Sequence, residues 1–219
     1  ELLAFVKKIL IKREDKIQKQ LKPKVHITHF PATHDFIKGE FSIPGGVFIA
    51  KNHTWLSINQ EGITKIGIDD FAKKLIGKID SIELPNLGMN VQAGQSLFTV
   101  KQGSRSVTFH SPITGKVSQV NTLLKDKPVA LETTPYERNW ICAIDTDKID
   151  DDIKGMRIGK SAVALFQDDI EKCKTLMKEL LKSEILEGEY VGEDQIYIGQ
   201  LEHLSDVNWQ KVAVEFFTF

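Results

Sequence analysis

Two short segments of similar layout lie in the middle of the chain, each a turn followed by a strand. Residues 86–95 form a pair of predicted turns before an alternating strand at 96–101, and the predicted turn at 111–117 leads into a strand at 116–120. Between the two strands, Gly103 can adopt the positive φ of a hairpin tip at little cost. Short strands at this spacing favour a small closed sandwich or barrel.

Upstream of these segments, strand and helix signals follow one another closely. Residues 55–58 and 63–68 alternate apolar and polar side chains, which is the pattern of a half-buried hairpin. Asp69 and Asp70 can cap a short helix, and Gly77 is placed to end it. The sequence therefore predicts strands interrupted by one short helix.

Downstream, the pattern changes to that of a helix and then to a tail of short alternating pieces. Residues 158–182 space their apolar side chains as an amphipathic helix does, within a helical extension predicted over 145–183. Residues 184–219 alternate in pieces, such as 212–216, and this predicts a β-like tail that forms a hairpin or binds a partner. The apolar end of the tail is expected to be tucked away or docked on another molecule.

Residues 1–22 contain an apolar stretch followed by basic residues and are predicted to form a helix. The apolar part is about ten residues long, whereas a membrane-spanning helix needs about 20. Three interpretations remain: the cytoplasmic end of a longer membrane segment, an amphipathic helix on a membrane or partner, and a helix packed on its own domain. Because the first residue is Glu1 rather than Met, we expect further chain upstream. Membrane contact is predicted through residues 1–13, at the cytoplasmic face of a membrane, with a cytoplasmic location as the alternative.

Residues 23–46 have no clean period and contain three prolines, so they are interpreted as an extended arm or linker. His26, His29 and His34 are weak candidates for a transition-metal site, since neighbouring imidazoles can share a metal. Pro31 interrupts their local geometry. No metal site is therefore expected, and solvated or partner-facing histidines are favoured.

Composition narrows the function further. The chain has 29 Lys+Arg against 30 Asp+Glu, a formal net charge of -1, which argues against a nucleic-acid binder. Cys142 and Cys173 lack the spacing of a zinc site and are expected to be buried and reduced. The sequence contains no nucleophile–base motif, phosphate loop or dinucleotide fingerprint, so no catalytic residue is assigned and the protein is not expected to be an enzyme.

The motifs over residues 47–144 resemble, in the same order, those of the H protein of the glycine cleavage system. The matching segments are Asn52-His53-Thr54-Trp55, Gly67-Ile68-Asp69-Asp70-Phe71-Ala72, Gly77-Lys78-Ile79, Glu83-Leu84-Pro85, Ser111-Pro112-Ile113-Thr114-Gly115-Lys116-Val117 and Pro135-Tyr136. The resemblance implies a mainly β fold with flanking helices. This is the lipoyl/biotinyl-type barrel-sandwich hybrid, here with N- and C-terminal extensions.

The resemblance also implies a carrier site, and there this sequence departs from the family pattern. The H protein carries lipoate on a lysine at a hairpin tip, seven residues before a Ser-Pro pair. That position holds Ser104 here, within the tip Gly103-Ser104-Arg105. Neither a hydroxyl nor a guanidinium can form the amide. Lys101 lies three residues too early, on the predicted strand, and is the less favoured candidate for modification.

The sequence thus predicts a divergent H-like protein without the lipoyl-lysine and without a cofactor. Its expected role is that of a non-catalytic scaffold or accessory subunit in a larger, membrane-associated complex, with protein subunits as partners and no nucleic acid. The alternative is a lipoyl carrier of the glycine cleavage system, which shuttles an aminomethyl group on lipoate.

Overall fold

The computed structural model describes residues 24–28, 40–133, 136, 139–184 and 199–218. The strands are β1 (Lys24–Thr28), β2 (Glu40–Pro44), β3 (Phe48–Ile49), β4 (Thr54–Ile58), β5 (Thr64–Ile68), β6 (Ser81–Glu83), β7 (Asn90–Val91), β8 (Ser96–Gln102), β9 (Arg105–His110), β10 (Gly115–Val120) and β11 (Cys142–Asp145). The helices are α1 (Asp70–Ile76), α2 (Leu123–Asp126), α3 (Ala130–Thr133), α4 (Ile149–Asp152), α5 (Lys160–Glu184) and α6 (Asp206–Phe217). Short 3₁₀ turns occupy Ile153–Gly155 and Gln200–His203.

Two antiparallel sheets share one hydrophobic core. The larger sheet has the strand order β3-β4-β5-β11-β10-β7, and the smaller one has the order β6-β8-β9. Trp55 and Ile66 of the larger sheet and Val100 and Phe109 of the smaller sheet belong to the same buried cluster. The two sheets do not close into a barrel, so of the two arrangements that the strand spacing favours, the structure has the sandwich.

The local predictions around the first hairpin are confirmed. Strands β4 and β5 pair antiparallel, close to the predicted bounds. The side chain of Asp69 accepts a hydrogen bond from the Ala72 N–H and so caps α1. Gly77, at φ 79°, ends the helix by donating its N–H to the Lys73 carbonyl.

The long C-terminal helix also follows its predicted pattern. Helix α5 spans Lys160–Glu184, and its buried side chains recur at helical spacing. These are Ala162, Phe166, Ile170, Cys173, Met177 and Leu180.

Both cysteines are free and buried, and burial raises the pKa of each thiol to about 12. Cys142 and Cys173 are therefore buried and reduced, as predicted, and their thiols are neutral.

The linker interpretation is wrong for residues 40–44. Strand β2 pairs in parallel with β1, with Lys24 opposite Glu40. Phe41 and Ile43 are fully buried, and as residues two apart on a strand they point to the same face. The ring of Phe41 lies 6.0 Å from that of Phe71 on α1. This segment is therefore a structural strand of the core.

The β-like prediction for the tail is wrong over residues 206–217, which form helix α6. Ser205 caps this helix by accepting a hydrogen bond from the Asn208 N–H. The alternation at 212–216 is too short to separate a period of 2 from one of 3.6. The buried positions follow the helical period: Trp209, Val212, Ala213, Phe216 and Phe217. The apolar end of the tail is thus tucked into the chain's own core.

Several N-terminal predictions fall outside the described residues. Residues 1–22, with the predicted membrane contact at 1–13, are among them, as are His29 and His34, while His26 lies on β1. Within the described ranges, no group of side chains could hold a metal ion. Nor does any helix in that part of the chain have the length and apolar character to cross a membrane.

Tyr136 ties β2 to the start of α1. Its buried hydroxyl donates to the Ser42 carbonyl at 2.8 Å and accepts from the Asp70 N–H at 3.1 Å. The Ser42 N–H in turn donates to Asp70 Oδ2 at 2.9 Å, and the same carboxylate pairs with Lys74 at 3.0 Å. A buried backbone N–H or carbonyl without a hydrogen bond costs free energy, and these contacts supply the hydrogen bonds.

We expect Tyr136→Phe to lower the free energy of unfolding by about 1–3 kcal/mol, because it removes the buried hydroxyl that bonds both the Ser42 carbonyl and the Asp70 N–H. Urea denaturation measures the change. Ser118→Ala, which removes a longer 3.3 Å hydrogen bond to the Ala143 carbonyl, serves as the control and should cost less. Equal effects of the two substitutions would show that the hydroxyl does not hold β2 in place.

Candidate functional site

The predicted hairpin tip lies where the sequence places it. Strands β8 and β9 pair antiparallel up to Gln102 opposite Arg105, and Gly103 and Ser104 form the exposed turn. Gly103 has φ 59°, in the left-handed region that favours glycine. Crowding is not the reason for the glycine, because a Cβ there would meet no neighbour within 4 Å. Its N–H donates to Asp80 Oδ2 at 2.8 Å. The tip therefore presents a hydroxyl and no amine.

Lys101 lies on strand β8, opposite Ser106. Its Nζ pairs with Glu83 Oε1 of the neighbouring strand β6 at 2.5 Å, and its side chain is 40% exposed. Lys101 is therefore held beside the hairpin body rather than presented at the tip.

Arg105 joins the base of the tip to the C-terminal segment of residues 199–218, here called the strap. Its Nε donates to Asp206 Oδ1 at 2.6 Å. Its Nη1 donates to the carbonyls of Leu201 and Glu202 at 3.2 and 3.4 Å, and Nη2 donates to that of Leu204 at 2.7 Å. The rigid fork of the guanidinium suits this set of acceptors. One flank of the tip is therefore fixed to the strap.

Gln102 fixes the other flank. Its Nε2 donates to the carbonyls of Ile76 and Lys78, at 2.7 and 2.9 Å, at the end of α1. Its Oε1 accepts from the indole N–H of Trp209 on the strap at 2.9 Å. Both residues next to the turn are therefore engaged by side-chain hydrogen bonds.

The beginning of the strap passes so close to the end of α1 that residue 77 has no room for a side chain. A Cβ on Gly77 would lie 2.3 Å from the Cα of Gly199, which no real contact permits. The Gly199 N–H donates to the Lys74 carbonyl at 2.8 Å, and the Lys78 N–H donates to Glu202 Oε1 at 2.7 Å. Sequence reasoning missed the strap, although the helical spacing of Trp209 with the apolar residues after it was a usable signal.

A second centre is built around His53, in the turn between β3 and β4. His53 adopts φ 59°, a left-handed conformation uncommon outside glycine, and is fully buried. Its Nδ1 lies 2.8 Å from Asp69 Oδ2, and its Nε2 lies 3.3 Å from Asp169 Oδ2 on α5. The ring is therefore held between two carboxylates. In the sequence, His53 was noted only as part of a family motif, and nothing indicated that Asp169 would lie next to it.

The two carboxylates keep the His53 ring protonated. Burial alone would lower the pKa of His53, but the charges and hydrogen bonding of Asp69 and Asp169 outweigh it and raise the pKa to about 9. Burial raises the pKa of Asp69, and the charge of His53 opposes that shift. At neutral pH the centre therefore contains a buried imidazolium.

Aromatic rings close the space around this imidazolium. The Phe71 ring of α1 stacks on His53 with centroids 4.2 Å apart, an arrangement that favours a cation. Phe166 of α5 and Phe217 of α6 meet its edges at 5.7 and 6.2 Å. With no exposed surface, His53 cannot reach a substrate. The centre is structural, and it joins the β sandwich to both C-terminal helices.

The fold and the hairpin together define the class of the domain. Two antiparallel sheets, one of which projects a β8–β9 hairpin, form the lipoyl-type barrel-sandwich fold that the sequence predicts.

Comparison with known proteins identifies the family. The family model described as "Glycine cleavage H-protein" matches residues 47–169, more than half of the chain. The chain therefore belongs to the glycine cleavage H-protein family, as its motifs indicated. Members of this family are lipoyl carriers rather than catalysts, so the prediction that the chain is not an enzyme is confirmed.

Two relatives named as glycine cleavage system H proteins agree with this assignment. The chain is 37% identical over 103 residues to the glycine cleavage system H protein of Xylella fastidiosa (strain M12), covering 47% of this chain and 79% of that protein. It is 32% identical over 116 residues to a probable glycine cleavage system H protein of Thermococcus gammatolerans, covering 53% and 86%. A solved H protein from Mycobacterium marinum is 27% identical with a TM-score of 0.45, covering 48% of this chain and 87% of that one.

We expect the free energy of unfolding to fall by up to about 3 kcal/mol as the pH rises from 6.5 to 9. Folded His53 keeps its proton up to about pH 9, whereas the unfolded chain releases it near 6.5. The folded state binds more protons in this window, so the stabilisation is complete below pH 6.5 and is lost through pH 9. Denaturant titrations across this range measure the slope. His53→Gln should remove it, whereas the exposed His203→Gln should not.

We expect Asp169→Asn to destabilise the protein by about 1–3 kcal/mol, because it removes one carboxylate from a buried cation. Asp168→Asn is the matched control on the same helix, since Asp168 is exposed, and it should change stability by less than about 0.5 kcal/mol. Thermal unfolding of both variants separates them. Equal stabilities would contradict the pairing of His53 with Asp169.

Proposed function

We propose that this chain is an H-like protein that does not carry lipoate and acts as a non-catalytic scaffold or accessory subunit of a larger protein complex. The observation that carries the proposal is the residue at the hairpin tip. Lipoate attachment requires an amine that can form an amide, and Ser104 offers a short side chain with a hydroxyl. Ser104 therefore occupies the position of the lipoyl-lysine without its chemistry.

The surroundings of the tip support the same proposal. A carrier group must travel between the sites of several partners, and this requires a tip free to approach each of them. Here Gln102 and Arg105, on either side of the turn, are hydrogen-bonded to α1 and to the strap. A hairpin held in this way is suited to presenting a fixed surface.

The second candidate function is that of a lipoyl carrier, which the family favours because its members normally carry lipoate. Lys101 would then be the modified residue, and its side chain is partly exposed. Modification would cost the pairing of its ammonium with Glu83, and it would attach the group to a strand rather than to a tip. The scaffold proposal requires neither change.

The proposed partners are protein subunits, in line with the family, whose members interact with other glycine cleavage proteins. The proposal also includes membrane association through residues 1–13. The support for it is the order of apolar and then basic side chains in that stretch.

We expect the intact protein, purified from its natural source, to have the mass of its unmodified chain. Intact-mass spectrometry followed by peptide mapping of residues 96–110 measures this directly. The Lys101→Arg variant, expressed in the same source, is the matched control and should also show no lipoyl adduct. A lipoyl group on the wild-type protein that Lys101→Arg abolishes would establish the carrier function and refute the scaffold.

A further inference from the structure

The strap lies against strand β9 of the hairpin and against the end of α1. Helix α6 packs along β9, which would otherwise be the free edge of the three-stranded sheet. An uncovered edge strand offers its backbone to other chains. The family match ends at residue 169, so the strap lies beyond the matched region.

Apolar anchors hold the strap along its length. Trp209, Phe216 and Phe217 are at most 2% exposed. The Phe217 ring lies 5.5 Å from that of Phe109 on β9, and the Phe216 ring lies 5.5 Å from that of Phe71 on α1. Burying such rings contributes strongly to packing. The strap is therefore part of the hydrophobic core rather than a loose cover.

Polar contacts place the strap at the flanks of the tip. Asp206 accepts from Arg105, and Trp209 donates to Gln102. Ser104, between these two flanks, remains exposed. The strap thus obstructs a macromolecule that must grip the hairpin but leaves the residue at the tip open to a small reagent.

We propose that the strap withholds the β8–β9 hairpin from any enzyme that acylates a side chain at its tip, so that even a lysine at position 104 would stay unmodified. The inference rests on the proposed function, because it takes position 104 as that of the lipoyl-lysine. Loss of the amine is then one of two barriers, and the strap is the other. This barrier acts through access to the flanks of the tip and not through the chemistry of residue 104.

The test uses full-length chains in which Ser104→Lys supplies the amine. Four variants are compared: S104K alone, S104K with D206A, S104K with D206A and W209F, and S104K with D151A. Asp206→Ala removes the carboxylate bound to Arg105, and Trp209→Phe keeps a large ring but removes the indole N–H. Asp151→Ala is the matched control. Like Asp206, Asp151 is exposed and forms an ion pair, in this case with Lys154 in the 3₁₀ turn that follows α4. Circular dichroism verifies the fold of each variant.

Two probes act on the same Nζ. Acetyl N-hydroxysuccinimide ester is small: its acyl carbon forms an amide with Nζ, N-hydroxysuccinimide leaves, and one proton is released. A lipoate–protein ligase with ATP and lipoate is the macromolecular probe. It forms lipoyl adenylate with release of pyrophosphate, and Nζ then displaces AMP to give the amide and a proton. Peptide mapping quantifies each adduct at residue 104.

All four variants should react with the small ester at similar rates. The ligase should acylate the variant with both strap substitutions about tenfold or more faster than S104K alone or the D151A control, because two hydrogen bonds of the strap are lost. The single D206A variant, which retains the Trp209 anchor, should fall between them.

Equal ligase rates in S104K with and without the strap substitutions would overturn the inference. So would the absence of ligase product in all variants, because something other than the strap would then withhold the hairpin. Neither result bears on the mass of the wild-type protein, so failure of this inference is distinguishable from failure of the scaffold proposal.

Discussion

The buried imidazolium of His53 is the interaction on which the rest of the structure depends. A charge without access to water is tolerated only when it is paired, and His53 takes its partners from two distant parts of the chain. Asp69 stands at the start of α1, and Asp169 stands on α5. Phe71, Phe166 and Phe217 complete the enclosure and bring α6 to the same point. The C-terminal helices are therefore part of the domain's core, and their packing is coupled to the protonation of one side chain.

The same helix that closes this core also contacts the hairpin. The C-terminal end of α6 places Phe217 against His53, while its N-terminal end places Asp206 and Trp209 against the two flanks of the tip. Helix α6 connects the two ends over 12 residues. Because a helix of this length is stiff, packing of its C-terminal end in the core also fixes the position of its N-terminal end beside the tip. Lys172 of α5 adds an ion pair to Glu215 and further fixes α6 in place. Both flanks of the hairpin tip are thereby hydrogen-bonded to a helix that is itself held by the core.

Local features could be predicted from the sequence, whereas contacts between distant segments could not. The β4–β5 hairpin, the cap at Asp69 and the turn at Gly103 each depend on a few neighbouring residues, and all three are found. The helix over residues 206–217 was missed because five residues of alternation fit two periods. Other contacts could not be predicted, because the type of a residue does not indicate which distant residue it will contact. The parallel pairing of β1 with β2 and the pairing of His53 with Asp169 are of this kind. For the site, the sequence located the tip but not the strap that holds it.

The central claim is that the strap and the β sandwich share one core and unfold as one cooperative unit. Native-state hydrogen exchange on the intact wild-type protein tests it most directly, because it resolves opening energies along the chain. We predict that the amide hydrogens of α6, β8 and β9 exchange with solvent only on global unfolding. Their opening free energies should therefore be equal to one another and to the free energy of unfolding. Exchange of the α6 amides at a far lower opening free energy, while β8 and β9 stay protected, would show that the strap opens by itself and would contradict the account.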